Sequence, residues 1–184
     1  MSAVSGGASL STRVEARTLS ADDTRALARA FAGALEPGDV VLLVGDLGAG
    51  KTTFVQGLAA GLGVSEPVTS PTFTLVRPHA CSGPEVRTLL HADLYRVERL
   101  HEVTDLALGE MVEDAAVAAV EWGDVGAPAL GDGAVVVTLE LGDAPGEDDL
   151  GDDQPRLIAI SVPSSEPRWR ALPGRLAPWV AGRS

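Results

Sequence analysis

The stretch Gly45-Asp46-Leu47-Gly48-Ala49-Gly50-Lys51-Thr52 has the spacing G-x-x-x-x-G-K-[ST]. Glycines so spaced let the backbone wrap until successive N–H groups point inward, a cradle for phosphate oxygens, with Thr53 continuing out of the loop. A lysine at this point can reach the β and γ phosphates, and the following hydroxyl can ligate Mg²⁺. Lys51 is the only lysine among the 14 basic residues, so chemistry that needs an ammonium group has one candidate. The competing reading is a tight glycine turn that holds no nucleotide. The flanks decide between them: an unbroken aliphatic run, Val40 to Val44, precedes the loop, and a helical pattern follows it. That strand-turn-helix setting is the one in which the motif binds nucleotides.

A phosphate cradle needs carboxylates, because a metal bridging the phosphates must be held and an attacking water oriented. Two aliphatic runs deliver acids at their C-terminal ends, Thr88 to Leu90 leading to Asp93 and Val117 to Val120 leading to Glu121. In a parallel sheet those ends form the ligand crevice. Asp93 suits a metal-side ligand; Glu121 suits a metal ligand or a water activator. The plain alternative for each is a solvated acid at a strand end. Val68 to Thr72 (VTSPT) is a candidate nucleotide-sensing loop or an ordinary Ser-Pro turn. His91 and Tyr95 flank Asp93 and either orient it or pack on the sheet. His79, His91 and His101 lack the spacing of a metal site, and with Cys81 as the single cysteine a structural zinc is not expected. Guanine-specific enzymes use an N-K-x-D motif, which a chain without asparagine and with its lysine already committed cannot contain. The reading favours ATP, or a nucleotide read mainly through its phosphates.

The elements that must position these groups follow from periodicity. Ser20 reads as an N-cap with Asp23 at the third helical position, then Leu27, Phe31 and Leu35 recur along one face until Pro37-Gly38. Val40 to Val44 is a strand buried on both faces. Phe54, Val55, Leu58 and Leu62 share a face of the helix that opens at Lys51, with Gly63 as its C-cap. Phe73 to Val76 predicts a strand, His79 to Pro84 a loop, and Val86 to Leu90 a second strand running into HADLYR. Residues 98–114 predict a helix broken near Gly109. Val117 to Val120, Ala134 to Leu141 and residues 156–162 predict further strands. Buried strands alternating with helices give an α/β fold, a single P-loop NTPase domain over residues 13–180 with a mainly parallel central sheet flanked by helices.

The chain has 184 residues and a formal net charge of −12, which opposes a sequence-independent grip on nucleic acid; any RNA would be held by another protein. No run approaches the roughly 18 apolar residues of a membrane span. The N-terminal stretch lacks the pattern of a secretory signal, so the expected address is the cytoplasm. Residues 1–12 predict a disordered tail. Residues 142–155 carry six acids and no base, the composition of a solvated insertion between two strands. After Pro163, four arginines and two tryptophans among prolines suggest a terminal helix packed on the sheet rather than a nucleic-acid patch.

Taken together, GDLGAGKTTF (45–54), SPTFTLV (70–76), HADLYR (91–96) and Glu121-Trp122 resemble, in order and spacing, the TsaE family of small P-loop ATPases in bacterial tRNA threonylcarbamoyladenosine biosynthesis. The resemblance covers about residues 20–125. It implies MgATP hydrolysis in support of two partners, TsaD and TsaB type proteins, which transfer threonylcarbamoyl to N6 of adenosine 37 in tRNAs reading codons that begin with A. It also implies that Thr52, Asp93 and Glu121 surround Mg²⁺, that Trp122 lies beside the site, and that Asp22 and Arg156 contact nucleotide. The sequence departs from the family pattern at Ala92, where a large residue is common, and at Gly123, where proline is usual. Two other classes compete. A small nucleoside or metabolite kinase would share the loop, but no arginine-rich lid segment is present. A non-hydrolysing nucleotide sensor would need the loop alone, and the paired acids argue against it.

Overall fold

The computed structural model describes residues 12–71, 74–95, 112, 115–123, 133–142, 154–163 and 166–180. The predicted helix at 98–114 (apart from Val112), most of the acidic segment, and residues 1–11 of the predicted N-terminal tail lie outside them. Seven strands form one sheet: β1 Thr12–Thr18, β2 Val40–Val44, β3 Val76–Ala80, β4 Thr88–Asp93, β5 Ala116–Glu121, β6 Val135–Leu141 and β7 Arg156–Val162, in the order β1-β7-β6-β2-β5-β4-β3. The inner four, β6-β2-β5-β4, run parallel, as the buried aliphatic runs imply. The margins are antiparallel: β1 on β7, β7 on β6, and β3 on β4. From β2 the chain builds β4 and β5 on one side and later β6 on the other, so β2 is the switch point at which α/β sheets open a ligand crevice.

Helix α1 (Ala21–Ala32) begins as its sequence predicts, with the Ser20 hydroxyl accepting from the Asp23 N–H. It stops at Ala32 with Gly33 as C-cap, a turn earlier than Pro37 would require, and Leu35 is buried beyond it. Helix α2 (Lys51–Leu62) ends at Gly63 in the left-handed region, as predicted. The two helices cross closely through small residues. A Cβ on Gly57 would lie 2.4 Å from the Arg25 carbonyl oxygen, and one on Gly61 2.5 Å from Ala32 Cβ. Leu27, Phe31, Phe54, Val55 and Leu58 share one core with Val41, Leu43, Leu89, Val117 and Ala119 of the sheet. Each such side chain contributes about 1.5–3 kcal/mol by leaving water.

Three local expectations are corrected. Residues 12–18 form a strand that no pattern had marked. Its side chains alternate buried and exposed, because β1 is an edge strand with only one covered face. The strand predicted at Phe73–Val76 begins instead at Val76 and runs to Ala80, so the predicted loop at His79 starts later. Pro78 sits within β3 because this is the opposite edge strand, where a missing N–H is tolerated. The C-terminal segment is a 3-10 turn (Pro167–Ala171) leading into α3 (Leu172–Arg175) rather than one helix. It packs on α1 and also reaches the sheet, where Val180 bridges Ala16 and the Trp179 carbonyl accepts from the Arg17 N–H. Trp169 stacks on Phe31 at 6.1 Å, and Trp179 Nε1 donates to Asp23. Arg168 makes a two-pronged pair with Asp39 at 2.6 and 2.7 Å, which pushes its guanidinium further up from its ordinary value.

Candidate nucleotide site

Gly45 and Gly50 take backbone conformations at φ 151° and 102°, and neither has room for a side chain. A Cβ on Gly45 would meet the Leu139 carbonyl oxygen at 2.3 Å, and one on Gly50 the Arg156 Nε at 2.7 Å. The loop therefore closes against β6 and β7 while passing from β2 into α2. Gly50 is the N-cap of α2, supplies no side-chain cap, and is followed by no acid in the first turn. Helix α1, by contrast, is capped by Ser20 and carries Asp22 and Asp23. The positive end of α2 is thus left for an external anion.

Parallel pairing sets Asp93 beside Glu121, and Glu121 beside Leu43 of β2, so both acids stand on one face next to the loop. The Thr52 hydroxyl donates to both Glu121 carboxylate oxygens at 2.9 and 3.0 Å. Lys51 folds back over its own loop, its ammonium donating to the carbonyls of Gly45 at 2.6 Å and Asp46 at 2.8 Å. It also lies 3.7 Å from the centroid of the Trp122 ring. Trp122 adopts φ 60°, a conformation costly for a non-glycine residue. Around these groups is a cavity of about 480 Å³, the size of a small-ligand site. It is lined by Leu47, Gly48, Gly50, Lys51, Thr52 and Thr53 of the loop and α2 together with Ser70, Asp93, Tyr95, Glu121, Trp122 and Arg156.

The structure gathers most of the predicted site residues. Gly45, Asp46 and Ala49 do not line the cavity: Asp46 is exposed, Ala49 is buried, and the Gly45 and Asp46 carbonyls accept from Lys51. Arg156, the first residue of β7, is buried against Gly50 with Nη1 donating to the Gln154 carbonyl. Asp22 stands apart. It does not line the cavity; its side chain is 95% exposed on the first turn of α1 and pairs with Arg25 at 2.6 Å. Of the two groups flanking Asp93, His91 bonds Glu121 instead, and Tyr95 serves through its backbone N–H, 3.0 Å from Asp93 Oδ1. Ser70, in the candidate sensing loop, donates its hydroxyl to Asp93. A Cβ on Gly123 would meet Leu42 at 2.6 Å, and Ala92 is wholly buried.

The side-chain oxygens lining the cavity are hard donors, the hydroxyls of Thr52, Thr53, Ser70 and Tyr95 and the carboxylates of Asp93 and Glu121, which fit Mg²⁺ rather than a softer metal. Among the described residues no three His, Cys, Asp or Glu cluster as a metal site, so a cation here would depend on phosphate oxygens as well.

Residues 18–146 match the family model described as threonylcarbamoyl adenosine biosynthesis protein TsaE. The chain belongs to the TsaE family. The tRNA threonylcarbamoyladenosine biosynthesis protein TsaE of Bacillus subtilis is 45% identical over 106 residues, which span 58% of this chain and 64% of that protein. The TsaE of Treponema pallidum is 41% identical over 122 residues, 66% of this chain and 87% of the relative. The crystal structure of Bacillus subtilis YdiB superposes with a TM-score of 0.67 at 30% identity, covering 92% of this chain and 97% of its own. The seven-stranded sheet with its glycine loop on β2 is thus the P-loop fold of this family. Among the described residues no helix is long and apolar enough to cross a membrane.

Proposed function

We propose that this TsaE family member binds MgATP in the cavity between the Gly45–Thr52 loop and the Asp93–Glu121 pair and hydrolyses it to ADP and phosphate. The observation that carries this reading is the convergence of Lys51, Thr52, Asp93 and Glu121 on one 480 Å³ cavity at the C-terminal ends of parallel strands. The loop N–H groups and the α2 N-terminus hold the phosphates. Lys51 leaves the carbonyls of Gly45 and Asp46 to reach the terminal phosphate as charge builds there. Mg²⁺, held by Thr52 and Asp93 with Glu121 nearby, would neutralise the phosphates. Glu121 accepts the proton of the attacking water as its oxygen bonds to the γ-phosphorus and the bond to the β-phosphate oxygen breaks. Arg156 supplies the second cation on the cavity wall.

Family membership supports the biological setting of this proposal: a cytoplasmic accessory subunit that works with TsaD and TsaB type partners in threonylcarbamoyl transfer to N6 of adenosine 37, with tRNA met only through those partners. The net charge of −12 supports the indirect contact. Phosphate release from MgATP by the purified chain, alone and then with the partner pair and tRNA, tests the reading. Slow release alone and faster release in the mixture is the expected result. No release in any mixture removes the ATPase, and phosphate recovered on an added nucleoside or metabolite points to a kinase.

A further inference from the structure

Glu121 also meets a histidine to which the proposed chemistry gives no task. His91 of β4 is wholly buried, with Nε2 2.8 Å from Glu121 Oε1. An ionised carboxylate only accepts, so Nε2 carries the hydrogen. The other ring nitrogen, Nδ1, has no hydrogen-bond partner among the described residues. Leu89 on the same strand and Val117 and Ala119 on the next are fully buried and apolar. A leucine would suit these neighbours better than a ring with one nitrogen unsatisfied, so packing does not account for a histidine. Behind it stands His79 of β3, also wholly buried, its Nδ1 2.6 Å from Glu66 Oε1 and its ring centroid 6.3 Å from that of His91. The strand register explains the reach: His91 pairs with Ala119, so Glu121 lies two residues further along the same face.

We infer that His91 is a positioning residue for Glu121, its Nε2–H pinning Oε1 so that Oε2, which meets only Thr52 among the described residues, is the oxygen offered to the attacking water. The inference rests on the reading of Glu121 as the water-orienting acid. Without the bond the carboxylate can rotate about its last single bond, and orientation, not affinity, is what is lost. His79, held by Glu66, limits how far the His91 ring can swing.

Two variants separate this role from a merely structural one. His91→Leu keeps the bulk and removes the donor; His91→Gln places an amide N–H near the reach of Nε2. The expected result is a kcat for His91→Leu that falls 10- to 100-fold, with KM and the Kd for MgADP within twofold of the parent, and recovery to within about fivefold in His91→Gln. Retained kcat in His91→Leu, or joint loss of kcat and MgADP affinity that His91→Gln does not repair, overturns the inference. If His91→Leu does not fold, His91→Asn, whose shorter amide stops short of the carboxylate, replaces it with the same expected contrast to His91→Gln. A readout independent of turnover is the ¹⁵N spectrum of the histidine-labelled parent. A proton on Nε2 of His91, with a resonance that moves in Glu121→Gln, supports the contact, and a bare Nε2 overturns it. A parent that releases no phosphate defeats the ATPase reading, and the spectrum still decides the bond.

Discussion

Lys51, Asp93 and Glu121 differ in what their removal should cost. Lys51→Ala deletes the ammonium and leaves the backbone cradle and the α2 N-terminus in place. A lost charge-assisted contact is worth about 1.5–3 kcal/mol, so MgADP should bind roughly 10- to 150-fold more weakly, with hydrolysis nearly abolished. Isothermal titration together with phosphate release checks this; unchanged turnover would remove the loop from the reaction. Glu121→Gln keeps an oxygen to accept from His91 while losing the base. ATP should still bind, with turnover lower by about 10²–10⁴. Asp93→Asn should instead raise the Mg²⁺ concentration needed for half-maximal activity, because Ser70 and the Tyr95 N–H hold that carboxylate at the cavity wall. Titrations that leave both variants like the parent would take both acids out of the site.

At the scale of elements, the site depends on where α2 starts, and that is set by how α2 lies on α1 and the sheet. Gly57 and Gly61, one turn apart, let the two helices approach so closely that Cβ atoms there would strike the Arg25 and Arg29 carbonyls. Gly57→Ala gains up to about 1 kcal/mol of helix propensity. It must also push apart a backbone contact of 2.4 Å, and overpacking of that kind costs about 1–3 kcal/mol. The clash should win, because the obstructing atom is a carbonyl oxygen and not the end of a flexible side chain. A thermal midpoint several degrees below that of the parent is expected; a raised midpoint would show that the helices can separate at little cost.

For the whole molecule, the charge is unevenly spread: half of the net −12 lies in residues 142–155, while Lys51 and Arg156 face the cavity. The ends of that segment are tied to the fold. The Gly142 N–H donates to the Pro155 carbonyl at 2.8 Å, Pro155 is buried, and the Gln154 carbonyl accepts from Arg156. Leu141 pairs with Arg156, so the strands already meet at the hairpin base. Replacing residues 143–153 with a short Gly-Ser turn should therefore leave the fold intact, and relieving like-charge repulsion should leave the thermal midpoint unchanged or slightly raised. Phosphate release by the chain alone should persist. A replacement that fails to fold, judged by circular dichroism, would show that the acids support the structure. Lost stimulation by partners alone would assign them to docking.

The sequence alone determined the parts whose chemistry is local. The glycine spacing, the lone lysine, the Ser20 cap and the acids closing two aliphatic runs each depend on a few neighbouring residues, and all are found where their pattern places them. Tertiary structure decided the pairings between distant residues. Thr52 and Glu121 are 69 positions apart, His91 and Glu121 30, and Ser70 and Asp93 23; the first two contacts exist because β4, β5 and β2 are neighbours in one sheet, and the third because the loop after α2 passes the end of β4. Strand order is not written in the pattern of any one strand, so His91 read as orienting Asp93 or packing on the sheet, and its bond to Glu121 came only with the pairing of β4 and β5. The same reason separates Arg156 from Asp22. Pairing of β7 with β6 brings Arg156 to Gly50, whereas Asp22, on the exposed side of a capped helix, turns to Arg25.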